Sequence, residues 1–294
     1  MITVTQAFEE FRQRLELSDT EQQDTIRRHQ DVRACIEEEF DLANSFLTGS
    51  YARHTKTKPL KDVDIFCVLG EKESHWRNKQ PDKILKAFKT SLAKAYGADA
   101  VELGRRCVTI EFDKRNPTVD EEGKLLSIDA VPAFKVDGVY EIPDGVIGEW
   151  IRSDPSVHKE QATAKNKELD GKWVPLVKML KRWNRSNGKP IKPSFLIEVM
   201  AHELVDGPFS TYPSEVRRFF ASASEAIHRD WPDPAGLGPP VSDQMTPEMR
   251  QAAAKALRQA ELQAAHAMRL EKDGSRTEAL MIWKQIMSRY FPTS

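Results

Sequence analysis

Two aspartates, Asp62 and Asp64, stand at the head of the apolar run Asp62–Leu69. Alternate side chains of an extended strand share a face, so both carboxylates point one way, about 7 Å apart, while Val63 and Ile65 turn to a core. Two hard oxygen donors so placed can ligate a shared pair of divalent ions. A third carboxylate is expected, and Asp129 supplies it within a second apolar run, residues 125–131. Upstream, Gly49-Ser50 is a small turn whose amides and Ser50 hydroxyl can hold a phosphate, especially where a helix begins there. Between turn and carboxylates lie Arg53, Lys56, Lys58 and Lys61 with no acid among them. The competing picture is a hairpin or loop with solvated aspartates and Gly-Ser as a mere turn. It is disfavoured because two acids on one face at the head of a buried strand need something to neutralise them, and metal is the natural candidate. Asp129 alone, a single acid in a strand, is a weak signal that gains weight from this company.

A second feature is a run of cations. From Gly171 through Ile197 there are Lys172, Lys178, Lys181, Arg182, Arg185, Lys189 and Lys192, and no Asp or Glu. A solvated helix face accounts for about half of such a run; the complete lack of acids points to a local positive field that attracts a triphosphate and offsets charge on leaving pyrophosphate. His202-Glu203, with Glu198 four residues before His202, resembles a helical metal pair but lacks the HExxH order, so a surface or capping role is expected. His54 and His158 carry no assignment. No GxGxxG or Walker sequence is present.

The elements that must position these groups follow from pattern. The 294 residues suffice for about two domains. With 44 basic and 45 acidic residues the formal net charge of -1 provides no global field toward nucleic acid or an acidic membrane, so any nucleotide site must be local. Cys35, Cys67 and Cys107 are scattered, odd in number, and fit a reducing compartment rather than a disulfide or zinc framework. No apolar stretch approaches a membrane span, and a cytoplasmic protein without membrane attachment is expected. Residues 5–45 show helical spacing (Phe8, Phe11, Leu15, Ile26, Val32, Ile36, Phe40), as one long or two shorter helices. Strands are expected at 62–69, 107–112 and 125–131, with a helix at 82–96 between the first two. Helices follow at 173–184, 194–204, 214–227, 247–272 and 276–290, with the Pro- and Gly-dense 231–240 as an ordered connector. The Ala-rich helix over 251–267 is read as a close-packing element. The fold class is therefore α+β: N-terminal helices and a mixed-sheet core over 1–150, and a helical domain over 151–294.

Gly49-Ser50, Asp62-x-Asp64 and a later strand Asp together resemble the nucleotidyltransferase superfamily that includes DNA polymerase beta. Further stretches, 128–134 (IDAVPAF), 154–158 (DPSVH), 180–184 (LKRWN), 192–198 (KPSFLIE), 233–236 (DPAG) and 283–292, are similar to the bacterial cGAS/DncV-like nucleotidyltransferases, the CD-NTases of CBASS anti-phage signalling. The resemblance spans roughly residues 46–292. It implies a polymerase beta-like fold with the active site in the cleft between the catalytic core and the helical domain. It implies Asp62, Asp64 and Asp129 as catalytic metal ligands and Gly49 and Ser50 at the triphosphate. Donor contacts are implied at Lys181 and Ser194, with Phe195 stacking on a base; Lys178, one turn before Lys181, competes for that assignment. Two Mg2+ ions are implied, with Mn2+ as substitute. The implied reaction joins NTPs, ATP and GTP foremost, into a cyclic di- or trinucleotide messenger that activates a separate effector protein, with room for regulatory partner proteins.

Two rival functions remain at this level: a template-independent transferase acting on RNA or a small molecule, and a catalytically silent nucleotide sensor. An RNA-tail enzyme would carry a further basic module, and the helical half is short and not strongly basic; the intact Asp62, Asp64 and Asp129 speak against a silent sensor. Direct activation by DNA is not expected, because no Cys/His cluster is available for a zinc-bearing insertion.

Overall fold

The computed structural model describes residues 2–58, 62–112 and 127–294. The cation Lys61 and the first two residues of the expected 125–131 strand lie outside the described residues.

The N-terminal pattern resolves into two helices, α1 (Val4–Arg14) and α2 (Asp19–Glu37). Each opens with a reciprocal capping box, Thr3 with Gln6 and Ser18 with Glu21, which satisfies orphan amides and fixes where the chain enters helix. The helical reading ends too late at 45: Leu42–Leu47 is a strand, β1, paired antiparallel to β2 (Asp62–Leu69), with Phe46 opposite Phe66. Between them lies the four-residue helix α3 (Gly49–Ala52). After β2 come α4 (Pro81–Tyr96), β3 (Val101–Leu103), β4 (Val108–Glu111) and β5 (Ser127–Val136). β5 runs on through Pro132, which falls where that flank has no partner: pairing with β4 ends at Ala130 and pairing with β6 (Val139–Asp144) begins at Phe134. β6 and β7 (Glu149–Ser153), absent from the expected strands, extend the sheet to seven strands among the described residues, ordered β1-β2-β5-β4-β3 with β6 and β7 continuing from β5. The Asp137-Gly138 turn between β5 and β6 has φ of 49° and 86°, the two left-handed residues of a tight hairpin.

β2 and β5 are parallel; every other pairing among the described residues is antiparallel. On one face Val63, Ile65, Ile128 and Ala130 are buried with Val32 and Ile36 of α2 and Ile84, Phe88 and Leu92 of α4. The opposite face carries the acids.

The helical part comprises α5 (Pro155–Glu168), α6 (Trp173–Ser186), α7 (Phe195–Leu204), α8 (Tyr212–Ala226), α9 (Pro247–Lys272) and α10 (Arg276–Met287). α5 has only Ala162 and Lys165 buried, so its sequence offers little apolar periodicity. Residues 231–240 form turns without helix or strand, as expected.

Contacts divide the chain into two compact units. The helical unit is Met1–Glu16, Thr55–Lys58 and Glu160–Ser294; the catalytic unit is Leu17–His54 and Pro59–Lys159. α1 joins the helical unit because its apolar stripe is used there: Phe8 meets Trp283 and Phe291 edge-on at 4.8 and 5.0 Å, and Phe11 meets Phe291 at 5.4 Å.

Candidate active site

The parallel pairing of β2 with β5 fixes the acids. Asp64 lies directly opposite Asp129 and Asp62 opposite Ser127, so the three carboxylates leave adjacent strands on one face. Neighbouring strands are about 4.8 Å apart, which sets the two central carboxylates side by side. Asp62 is exposed at the strand start, and Asp64 and Asp129 are half-buried.

On its other side Asp129 is opposite Thr109 of β4, whose hydroxyl donates to Asp129 Oδ1 at 2.6 Å. Burial raises the Asp129 pKa above the usual carboxylate range; the Thr109 bond opposes this, and the charge of Asp62 adds to it. Cys107 reports the same field: burial pushes its thiol pKa up, and the charges of Asp129 and Asp64 push it further. Thr109 was not singled out by sequence, although the alternation of Val108, Thr109 and Ile110 puts it on the acidic face.

Gly49 closes the site from the β1 side. Its φ is 59°, and a Cβ built on it would collide with the Asp64 carboxylate. Glycine is thus required twice, for the left-handed backbone and for the close approach. The Thr48 amide donates to the Asp64 carbonyl at 2.8 Å, which locks the turn to β2. A helix does begin at Gly49, with half-buried Ser50 in its first turn, but it is only four residues long.

The donor chemistry fits a hard divalent cation: oxygen ligands only, on one face, with charge that a cation relieves. The side chains are not gathered into a ligating cluster, since among the described residues no three His, Cys, Asp or Glu groups come together to hold a metal ion.

The remaining expected residues belong to the helical unit. Lys181 is buried on α6, with Nζ 2.5 Å from Glu198 of α7 and 3.3 Å from Thr55 Oγ1. Ser194, the residue before α7, is exposed, and Phe195 is half-buried at its first position. Lys178, the competing lysine, is paired with Glu16 at 2.6 Å. The acid-free run is therefore partly neutralised by acids just outside it or far from it, Glu198 directly after the run and Glu16 from the end of α1. Glu198 is corrected accordingly: it is no surface or capping residue but a buried ion-pair partner, 3% exposed. His202 lies edge-on to Trp173 and its pKa is lowered by burial, while Glu203 pairs with Arg229.

Comparison with known proteins identifies the family. Residues 1–166 match the Second Messenger Oligonucleotide or Dinucleotide Synthetase (SMODS) domain. The whole chain aligns at 28% identity with 87% of the cyclic AMP-AMP-AMP synthase of an Acinetobacter strain. Among solved structures, Escherichia coli CdnC with ATP superimposes with a TM-score of 0.72 at 17% identity over 99% of both chains. That protein has also been solved in complex with HORMA-deltaN. The Bradyrhizobium diazoefficiens CD-NTase CdnG with GTP gives 0.73 at 14% identity over 96% of this chain and 95% of that one. The structural likenesses establish the polymerase beta-like nucleotidyltransferase fold with its helical domain. With the domain match covering more than half of the sequence, the chain belongs to the SMODS family and is a CD-NTase of the CBASS type, a nucleotidyltransferase of the cyclic-oligonucleotide-synthesising class.

Proposed function

We propose that the chain joins nucleoside triphosphates, ATP first among them, into a cyclic oligonucleotide second messenger, with a cyclic tri-AMP as the leading candidate product. The observation that carries the chemistry is the side-by-side placement of Asp64 and Asp129 beside a glycine that leaves room for nothing but the carboxylate. The full-length similarity to a cyclic AMP-AMP-AMP synthase supports the base and product.

In this reading Asp62, Asp64 and Asp129 would hold two Mg2+ ions, with Mn2+ as substitute. Bound there, such ions supply charge neutralisation on the phosphates and ease deprotonation of the attacking hydroxyl. Ser50 and the amides of its turn bind the donor triphosphate. Asp129 accepts the proton of the acceptor ribose hydroxyl as the α-phosphate is attacked and pyrophosphate leaves. Lys181, Ser194 and Phe195 are the proposed contacts from the helical unit; a phosphate contact by Lys181 exchanges its Glu198 bond for phosphate oxygens. By extension from the relatives, a regulatory protein partner and a separate effector responding to the product complete the system, in the cytoplasm.

Incubation of the purified chain with α-labelled ATP, GTP, CTP and UTP, singly and mixed, with Mg2+ or Mn2+, followed by phosphatase, tests this. A phosphatase-resistant product made from ATP alone, and lost in the Asp62→Ala plus Asp64→Ala variant, is expected. A product that is only tailed RNA or a modified small molecule overturns cyclisation while leaving the transfer chemistry.

A further inference from the structure

The stretch Thr55–Lys58 lies between Ser50 and Asp62 in sequence, yet it is counted with the helical unit. It has no regular secondary structure, and Thr55, Lys56 and Thr57 are all buried. A buried irregular segment must find partners for its backbone outside itself. Helix α6 provides them. An Arg185 guanidinium nitrogen donates to the Thr57 carbonyl at 3.4 Å and Arg182 donates to the Lys58 carbonyl at 3.2 Å, while Lys181 Nζ reaches the side-chain hydroxyl of Thr55 at 3.3 Å. The Lys58 amide donates to the Leu15 carbonyl, just past the end of α1, at 3.4 Å.

Arg182 does more than one thing. Its Nε donates to Ser288 Oγ at 3.2 Å, and its guanidinium lies over the Tyr290 ring at 4.3 Å. The side chain is 9% exposed, and burial lowers its pKa. Ser288 itself stands at φ 147°, ψ 178°, backbone that only glycine adopts freely. Its hydroxyl accepts both from Arg182 and from the Tyr290 amide at 3.3 Å. A serine held in strained backbone, with its hydroxyl spent on a buried arginine, marks this joint as more than filler. The planar fork of arginine suits it to serve two acceptors and a ring at once.

We propose that Arg182 is a positioning residue for the carboxylate site: it ties the 288–290 segment to the Lys58 carbonyl and so fixes the 55–58 strap, which begins five residues after Ser50 and ends four before Asp62. The effect on turnover rests on the transferase reading above; the restraint of the strap does not. Arg182 touches no substrate in this proposal, so its loss misplaces the chain flanking the acids without weakening nucleotide binding.

The test compares the full-length wild type, Arg182→Lys and Ser288→Gly by hydrogen exchange without nucleotide and by turnover of ATP with Mg2+. Arg182→Lys keeps the charge but loses the fork. Ser288→Gly removes the hydroxyl while relaxing the backbone, so its unfolding midpoint holds or rises and it serves if Arg182→Lys folds poorly. In both, amides of residues 55–58 are expected to exchange about tenfold faster or more, with kcat down about tenfold in Arg182→Lys and KM for ATP within about twofold. Unchanged exchange over 55–58 in both variants overturns the proposal, as does a raised KM with kcat preserved, which would make Arg182 a substrate contact. If the wild type forms no product from ATP, the transferase reading fails and the exchange measurement alone decides the strap.

Discussion

At the scale of single residues, Gly49 is the most constrained position in the site. Any side chain there meets the Asp64 carboxylate, and an L residue at its left-handed φ adds about 1 kcal/mol or more of backbone cost. Gly49→Ala should therefore fold with a modestly lowered melting midpoint while product formation drops by about a hundredfold, measured with labelled ATP. Lys181 illustrates a different hazard. Because it and Glu198 are both buried, Lys181→Met takes the lysine's charge away from a buried carboxylate and should destabilise the chain in denaturant unfolding, by as much as about 3–5 kcal/mol. Adding Glu198→Leu should return most of that stability, and activity measured in the double variant then separates a role in nucleotide binding from one in folding. The acids themselves were legible in sequence because strand alternation is a two-residue rule. Their neighbours were less so: Thr109 reaches Asp129 only through strand pairing 20 residues apart, and Glu198 reaches Lys181 only through the packing of two helices.

At the scale of elements, the Arg105-Arg106 turn after β3 and the end of β6 are joined by one buried acid. Asp144 is fully buried and takes the Nε of Arg105 at 2.9 Å and of Arg106 at 2.8 Å, along with the amides of Val146 and Ile147. Burial alone would raise its pKa, but these donors outweigh that and hold it at about 2. A carboxyl depressed on folding adds stability above its unfolded pKa of about 4 and loses it as pH falls toward the folded value. Stability should thus decline from about pH 4 toward pH 2, with Asp144→Asn flattening that limb while lowering stability at neutral pH; urea titrations at stepped pH would show both. Asp137-Gly138 is a two-residue turn signal for the hairpin from β5 to β6, whereas the strand after it, Val139–Asp144, shows little alternation to announce it. By contrast β2, α4 and α9 match their expected spans closely, since each combines strong periodicity with clear start signals. α5 is opened by Asp154, whose carboxylate accepts from the Ser156 amide at 2.9 Å, but has almost no apolar face to announce it.

At the scale of the whole molecule, the core of the helical unit gathers four fully buried tryptophans, Trp173, Trp183, Trp231 and Trp283, from two helices and the connector after α8. α1 contributes Phe8 and Phe11 to it, which a linear reading of the sequence assigned to the neighbourhood of the sheet. Phe8→Ala should cost about 3–5 kcal/mol, detected as a lowered thermal midpoint followed by tryptophan fluorescence. The polypeptide passes from one unit to the other four times, after residues 16, 54, 58 and 159. No single cut of the gene can therefore yield either half intact: a fragment ending at 159 would bare Phe8 and Phe11 to water, and one beginning at 160 would lack both the lid that those rings form over Trp283 and the 55–58 stretch. Separating the chain at that boundary is therefore expected to give two poorly folded fragments rather than two independent domains.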